Sequence, residues 1–366
     1  MKIFTILHLL PSLNLMGGTA AKVKILVENS KYKHIICVPS LADVDDIPSE
    51  WQRIDSNRCV IEDGLIRSNP IKNAIYLRKI AKKHNVKIIH TYFNADTFSV
   101  AILKCIYPKF KSIRSFEGVM VERISKLKKF VFNNIWRSCD KVIYISRYVQ
   151  DFYSENFSSL KDKESVVVYN TYARKGQQNN SIIFHNVKPR ILVCVSGLCY
   201  AKNLLMLIDA IKILVNRGSN VRLYILGEGP YREKIELKIK ENNIQPNVIL
   251  VGYTNDVIAY LDKASIYVHP AHVEGFGMAV VEAMNRYCAS VVSAAGALPE
   301  IITDGQEGFV VDPFSPNAWA DAIDKLLSSQ DLVNTMGKKA HVVVEKKFSI
   351  HNYVTGIDRT YENYLF

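Results

Sequence analysis

Two doubly wound α/β domains are the fold this sequence predicts, and three observations carry the prediction. Short apolar runs alternate with amphipathic stretches along nearly the whole chain, the pattern of parallel strands covered by helices on both faces. The length, 366 residues, exceeds one small core and suits two domains of ~100–200 residues each. A polar segment without a period, residues 171–189, interrupts the alternation near the middle.

In the first half, apolar runs at 2–9, 33–38, 87–91, 111–115, 141–145 and 165–168 read as strands, and helical patterns fill 71–83, 96–106 and 121–137. The opening, Lys2 followed by Ile3 to Leu10, resembles the basic and apolar regions of a signal peptide. Pro11 and the pair Gly17-Gly18 follow it as strand–loop–helix punctuation, so it reads as a buried first strand. The second alternation begins at 191–195. Further strands are expected at 221–226, 247–251, 265–269 and 290–293, with helices near 203–216, 230–242, 278–286 and 316–328. Along the tail 348–366, Tyr353, Ile357, Tyr361 and Tyr364 recur at three and four, as on the core face of a last helix. The expected organisation is a first domain 1–170, a linker 171–189, a second domain 190–347 and the helix 348–366. Ligands of such sheets bind beyond the carboxyl ends of the strands, which predicts a cleft between the domains.

Composition excludes several classes. Apolar residues make up 48% and charged residues 22%, an ordinary globular balance rather than a disordered or fibrous one. No run of 18 apolar residues occurs, which argues against a transmembrane helix. Seven cysteines, an odd number without C-x-x-C or a Cys/His cluster, indicate neither a disulfide framework nor a zinc site and fit a reducing cytoplasm. The net charge of +12 is lopsided: residues 1–180 hold 29 Lys and Arg against 16 Asp and Glu, residues 181–366 hold 18 against 19. The first half therefore either meets an anion, such as a phospholipid surface or a phosphorylated substrate, or carries a solubilising surface. No nucleic-acid-binding module accompanies the charge, so a nucleic-acid partner is not expected. Arg123, Lys126, Lys128, Lys129 and Arg137 interleave with Ile124, Leu127, Phe130, Val131 and Ile135. That stretch is either a helix touching anionic lipid or a core-packed helix with a charged outer face.

Chemistry concentrates after three strands. His272-Val273-Glu274-Gly275-Phe276-Gly277-Met278 leads from a strand into a helix that carries Glu282 about one and a half turns on. Glycines let a ligand approach the backbone, and the first helical turn favours anions. Carboxylates beside such a turn suit a hydroxyl-bearing ligand such as a sugar or ribose; ordinary surface glutamates are the plain alternative. Ser196-Gly197-Leu198-Cys199-Tyr200-Ala201-Lys202 follows the first strand of the second half, so Lys202 can place a point charge on phosphate oxygens. Met16-Gly17-Gly18-Thr19 opens a helix after the first strand but lacks the full dinucleotide fingerprint. Asp43-Val44-Asp45-Asp46 contains a D-x-D without another ligand group near it, and reads as a solvated acidic loop, not a metal site.

Taken together these motifs resemble the family 4 retaining glycosyltransferases of the GT-B fold, over essentially the whole length and most closely over 191–312. The family's two glutamates with seven residues between them read here as Glu274 and Glu282. Leu226-Gly227-Glu228-Gly229-Pro230, Gly296-Ala297-Leu298-Pro299-Glu300 and Asp304-Gly305-Gln306-Glu307-Gly308 stand in the family's order. The match is looser in the first half, at Gly17-Gly18, His90, Tyr144-Ile145-Ser146 and Tyr169-Asn170. The resemblance implies that Glu282 binds the ribose hydroxyls of a nucleotide sugar. It implies that the amides of Gly275, Phe276, Gly277 and Met278 meet the diphosphate and sugar, and that Glu274 contacts the donor sugar. Lys202 would stabilise the leaving diphosphate, with Gly18 approaching it from the other domain and Tyr253 bordering the base. His90 and Glu117 would serve the acceptor. The family is typically metal-independent, and no cofactor is expected beyond the donor substrate. Its last helix commonly returns to the first domain.

Departures from the pattern bear on catalysis. Gly197 stands where the family usually has an arginine, and Glu117 where many members have a histidine. Glu117 would be the acceptor base, an ion-pair partner of Arg114, or a sign of weakened catalysis. The function expected is therefore a bacterial surface-polysaccharide transferase. It would move a sugar from a nucleotide donor, UDP favoured as the commonest, to a glycan or lipid-linked oligosaccharide, in the cytoplasm or on the inner face of the membrane. A non-catalytic sugar-nucleotide-binding subunit is the alternative, and a nucleotide-sugar epimerase on the same fold a weaker one.

Overall fold

The computed structural model describes residues 4–15, 18–39, 47–66, 69–120, 124–172, 190–264 and 266–364. The chain forms two compact units, Met1–Ala173 with Ile350–Phe366, and Arg174–Ser349.

The first unit runs β1 (Thr5–Leu9), α1 (Gly18–Asn29), β2 (Lys33–Pro39), α2 (Ser49–Gln52), β3 (Cys59–Leu65), α3 (Pro70–Lys83) and β4 (Val86–Thr91). It continues through α4 (Asn94–Ile106), β5 (Lys111–Phe116), α5 (Lys126–Arg137), β6 (Lys141–Tyr144), α6 (Arg147–Asn156), α7 (Ser158–Lys161) and β7 (Ser165–Val167). Its seven strands lie parallel in the order β3-β2-β1-β4-β5-β6-β7. Both sheet faces are covered, which is why the strands read as unbroken apolar runs. Leu7, Leu9 and Ile35 pack with Ala74, Leu77 and Leu103 on the side of α3 and α4. Ile6, Ile88 and Ile113 face Ile25 and Leu26 of α1 on the other side.

The second unit runs β8 (Arg190–Val195), α8 (Leu204–Asn216), β9 (Val221–Leu226), α9 (Arg232–Glu241), β10 (Val248–Gly252), α10 (Val257–Lys263) and β11 (Ile266–His269). Then follow α11 (Met278–Asn285), β12 (Ala289–Ser293), α12 (Leu298–Ile301), β13 (Gly308–Val311), α13 (Pro316–Leu327) and α14 (Gln330–Val343). Its six parallel strands take the order β10-β9-β8-β11-β12-β13. After Ser349 the chain rejoins the first unit as α15 (Ile350–Glu362). Tyr353, Val354, Ile357 and Tyr361 of that helix join the core of β1, β4 and β5. Asp358 accepts from the Ser30 hydroxyl at 2.7 Å and from the Lys31 amide at 3.3 Å, fixing α15 to the end of α1.

Two edge strands, β3 and β13, are absent from the sequence reading. Glu62-Asp63-Gly64 breaks the apolar pattern of β3, and β13 has only four residues. Each pairs on one side alone, so less apolar surface is demanded of it. The helix expected over 121–137 starts at Lys126, where the Ser125 hydroxyl caps the Lys128 amide at 3.3 Å. Of the expected linker, Thr171 is buried in the first unit. Residues 173–189, the segment Asp43–Asp46, and Met16 and Gly17 lie outside the described residues.

Candidate active site

A parallel sheet leaves a crevice where neighbouring strands send their connections to opposite faces. In the second unit that switch point lies between β8 and β11, and the connections after both strands carry the expected residues. Lys202 ends a single 3₁₀ turn, Tyr200–Lys202, closed by Asn203 in the left-handed conformation. Its Nζ donates to Glu274 Oε2 at 2.6 Å. The same oxygen lies 2.9 Å from His269 Nε2 at the end of β11, so Nε2 carries the proton toward the carboxylate. On the far side of the ring, His269 Nδ1 lies 3.3 Å from the Tyr267 hydroxyl. Burial alone pushes the Glu274 carboxyl up. The hydrogen bond from His269 and the charge of Lys202 outweigh it and hold Glu274 well below the usual carboxylate range. Both bonds fall on Oε2, which leaves Oε1 to a ligand.

Glycines make this arrangement possible. Gly296 has φ +58°, and a Cβ there would lie 2.2 Å from the Glu274 carbonyl oxygen. The close approach lets the Ala297 amide donate to that carbonyl at 2.9 Å, which holds Glu274 from behind. Gly227 brings the loop after β9 equally close to Ser196, and the Leu198 amide bonds the Glu228 carbonyl at 3.0 Å. The glycine-flanked glutamate motif thus supports the loop of Gly197 and Lys202; Glu228 itself pairs with Arg232.

The remaining expected residues of this unit fall at the same edge. Gly275 and Phe276 precede α11; Phe276 is buried edge-on against Phe348. Gly277 caps α11 at φ +105°, and Met278 is its first residue, so the helix opens with amides that have no intrahelical acceptor. Glu282 is buried, at 4% exposure, one and a half turns along. Tyr253 follows β10 and is exposed, its hydroxyl donating to Asn255 at 2.7 Å. Gly197 leaves room: the nearest atom to a Cβ there is the Glu228 carbonyl oxygen at 3.8 Å.

In the first unit Gly18 is exposed at the start of α1. Glu117 follows β5, and its Oε2 pairs with Lys22, a fully buried lysine one turn into α1. Lys22 also donates to Asn170 Oδ1 at 3.2 Å. Burial pulls the Lys22 ammonium down, and Glu117 restores it only in part. Glu117 Oε1 is buried without a hydrogen-bond partner among the described residues. Arg114 does not pair with Glu117 as one reading of the sequence had it. Its Nη2 reaches Asn94 Oδ1 at 3.3 Å, its cation lies over Phe116, and Nε and Nη1 stay unpartnered among the described residues. Nearby Asp96 is pushed up to about 6 by burial.

His90 does not fit the role of an acceptor contact. It is buried in β4, with Nδ1 2.7 Å from the Tyr361 hydroxyl and Nε2 2.7 Å from the Ser115 hydroxyl. Both nitrogens are spent inside the unit, tying β4 and β5 to α15.

Sequence reasoning missed Lys22 and His269. A lysine four residues before Leu26, on the buried stripe of α1, was the available signal for the first. His269 was visible only as a strand end.

Residues 177–343 match the family model described as glycosyl transferases group 1. Over 290 residues the chain is 26% identical to an uncharacterized glycosyltransferase of Methanocaldococcus jannaschii, covering 78% of each protein. It is 29% identical to the capsular polysaccharide biosynthesis glycosyltransferase CapM of Staphylococcus aureus, over 43% of this chain and 42% of that one, less than half of either. Among solved structures, a glycosyltransferase from Rickettsia africae superposes with a TM-score of 0.81 at 21% identity, over 100% of this chain and 99% of the other. HepE of Anabaena, solved with UDP and glucose, gives 0.77 at 17% identity over 98% and 100%. The likeness of backbone spans both sheets, and the fold is GT-B.

Proposed function

From the match of residues 177–343 to the family model of group 1 glycosyl transferases, we propose that this chain transfers a sugar from a UDP-sugar to a lipid-linked glycan, with retention of anomeric configuration. The observation that carries the reading is the ion pair of Lys202 and Glu274 beside the opening of α11. The donor diphosphate competes for Lys202 and takes the amides of Gly275 to Met278; the sugar hydroxyls donate to Glu274. Buried Glu282 accepts from the ribose. As the bond to the sugar breaks, negative charge grows on the departing diphosphate, and Lys202 with the helix-terminal amides stabilises it. The chemistry needs no divalent metal in this reading. UDP is favoured by the HepE complex, a surface polysaccharide acceptor by the likeness to CapM. Peripheral contact with an anionic membrane at the cytoplasmic side belongs to the same proposal.

A thermal-shift panel of UDP-, GDP-, ADP- and CMP-sugars tests the donor site. Stabilisation by UDP-sugars alone, lost in Glu282→Gln, is the expected result. Turnover with a lipid-linked acceptor, unaffected by EDTA and giving the donor's anomeric configuration by NMR, completes it.

A second reading, a sugar-nucleotide-binding subunit without turnover, is favoured by Gly197 in place of a second cation and by the commitment of Glu117 to Lys22. Donor binding without transfer to any acceptor would select it.

A further inference from the structure

The helices α3, α4 and α5 lie side by side on one face of the first unit's sheet, α3 packed on α4 and α4 on α5. Each begins at the carboxyl edge of its preceding strand, the edge from which Glu117 also emerges. The first turns of all three leave apolar side chains uncovered. Ile71 and Ile75 project from α3, and Phe93 and Phe98 from the start of α4. In α5 every residue from Ser125 to Val131 is exposed, Leu127 to 73% and Phe130 to 67%. Among the described residues, eight of the fourteen large apolar side chains that are exposed lie near this edge, from Ile66 after β3 to Val131 in α5; Ile106, at the far end of α4, is not one of them. Scattered exposure needs no explanation; a concentration along one rim does.

The charge on these helices is as one-sided. Together they carry ten Lys and Arg and a single carboxylate, Asp96, whose Oδ2 is buried. Lys72 stands beside Ile71, and Lys126, Lys128 and Lys129 surround Leu127 and Phe130, all of them exposed. A second copy of the chain would bring the same cations face to face. A bilayer with anionic headgroups meets both halves of the pattern. The apolar side chains enter the boundary of headgroup and acyl chain, and the lysines extend to the phosphates.

We propose that the rim formed by the first turns of α3, α4 and α5 docks the protein on an anionic lipid bilayer. The rim holds the carboxyl edge of the first unit's sheet, with Glu117, against the surface from which a lipid-linked acceptor presents its sugar. The inference rests on the lipid-linked reading of the acceptor for its purpose, not for its surface chemistry.

Flotation of the full chain with vesicles tests it, using phosphatidylcholine alone and with about 40% phosphatidylglycerol, at about 0.05 M and 0.5 M NaCl. Binding to the anionic vesicles, weakened by salt, is expected. The double variant Phe98→Glu/Phe130→Glu and the triple variant Lys126→Gln/Lys128→Gln/Lys129→Gln each lose at least ~10-fold in partitioning. Leu237→Glu, an equally exposed apolar site on α9, leaves it unchanged. Unaltered melting temperatures exclude misfolding as the cause. No flotation of the native chain, equal flotation of the rim variants, or a dimer in sedimentation that the rim variants dissociate would each overturn the proposal. The vesicles contain neither donor nor acceptor. A UDP-sugar thermal shift on the same preparations therefore reports separately on the sugar-transfer reading.

Discussion

Lys202 and Glu274 show how much one pair of side chains does here. A lysine at the end of a short turn would ordinarily be solvated; this one is held by a carboxylate that two donors keep ionised. On the proposed reading, Lys202→Ala removes the charge that would face the leaving diphosphate, and kcat is expected to fall by about 10²–10³. Glu274 keeps its bond from His269, so the melting temperature changes little. Steady-state kinetics beside a melting curve checks both. Gly197→Arg runs in the opposite direction. The site has space at Cβ, and a guanidinium there adds a second cation for the phosphates. UDP binding tightens several-fold by calorimetry; unchanged affinity would mean that the phosphates lie elsewhere. Glu274 and Glu282 were legible as a pair because one loop and the opening of α11 set their spacing, and Lys202 was legible in its own loop; that Lys202 meets Glu274 follows only from β8 lying beside β11. The pair Lys22 and Glu117 was not. Those residues come from α1 and the end of β5, and only the strand order β1-β4-β5 brings them together.

The loops between elements carry the next level of specification. Gly296→Ala forces a Cβ against the Glu274 carbonyl oxygen at 2.2 Å, from a left-handed backbone. The expected cost is about 2–4 kcal/mol, read by urea unfolding, and donor binding falls with it because Glu274 moves. Gly305, also left-handed but with open space at Cβ, is the matched control: Gly305→Ala carries only the backbone strain. Interior strands and their covering helices were readable from periodicity, since burial on two faces demands apolar side chains at nearly every position. β3 and β13 were not, because an edge strand tolerates Glu62, Asp63 or a four-residue length. The start of α5 was overextended for the converse reason: the apolar spacing continues in front of the Ser125 cap at which the helix begins.

At the scale of the whole molecule, the interior of the first unit sets a pH response. His8, His34 and His90 are buried and mutually close, with His8 Nε2 2.9 Å from His34 Nδ1. Burial, with neighbouring cations, keeps all three neutral, His34 down to about 3. In the unfolded chain they take up protons near pH 6.5. Below that, until the depressed folded values are reached, the unfolded state binds more protons, so stability falls as pH falls. Each histidine contributes about 1.4 kcal/mol per pH unit. Asp96 and Asp358 act oppositely: both are pushed up by burial, Asp96 to about 6, and relieve the fold as they take up protons, but they are two groups against three. Melting temperatures recorded from neutral to pH 5 should therefore decline. His34→Gln, which removes one titrating group, should shallow the decline by roughly a third of its slope.

The return of α15 to the first unit gives synthesis an order of events. The sheet of β1, β4 and β5 lacks Tyr353, Ile357 and Tyr361 until the second unit has been translated in full. At about 5–20 residues per second the nascent first unit waits for tens of seconds with Ile6, Ile88 and Ile113 only partly covered on that face, by Ile25 and Leu26 of α1. The second unit is continuous in sequence and closes first. A ribosome that stalls before Tyr353 thus releases a chain whose second unit is finished and whose first is not, with apolar strand surface open to chaperones and proteases.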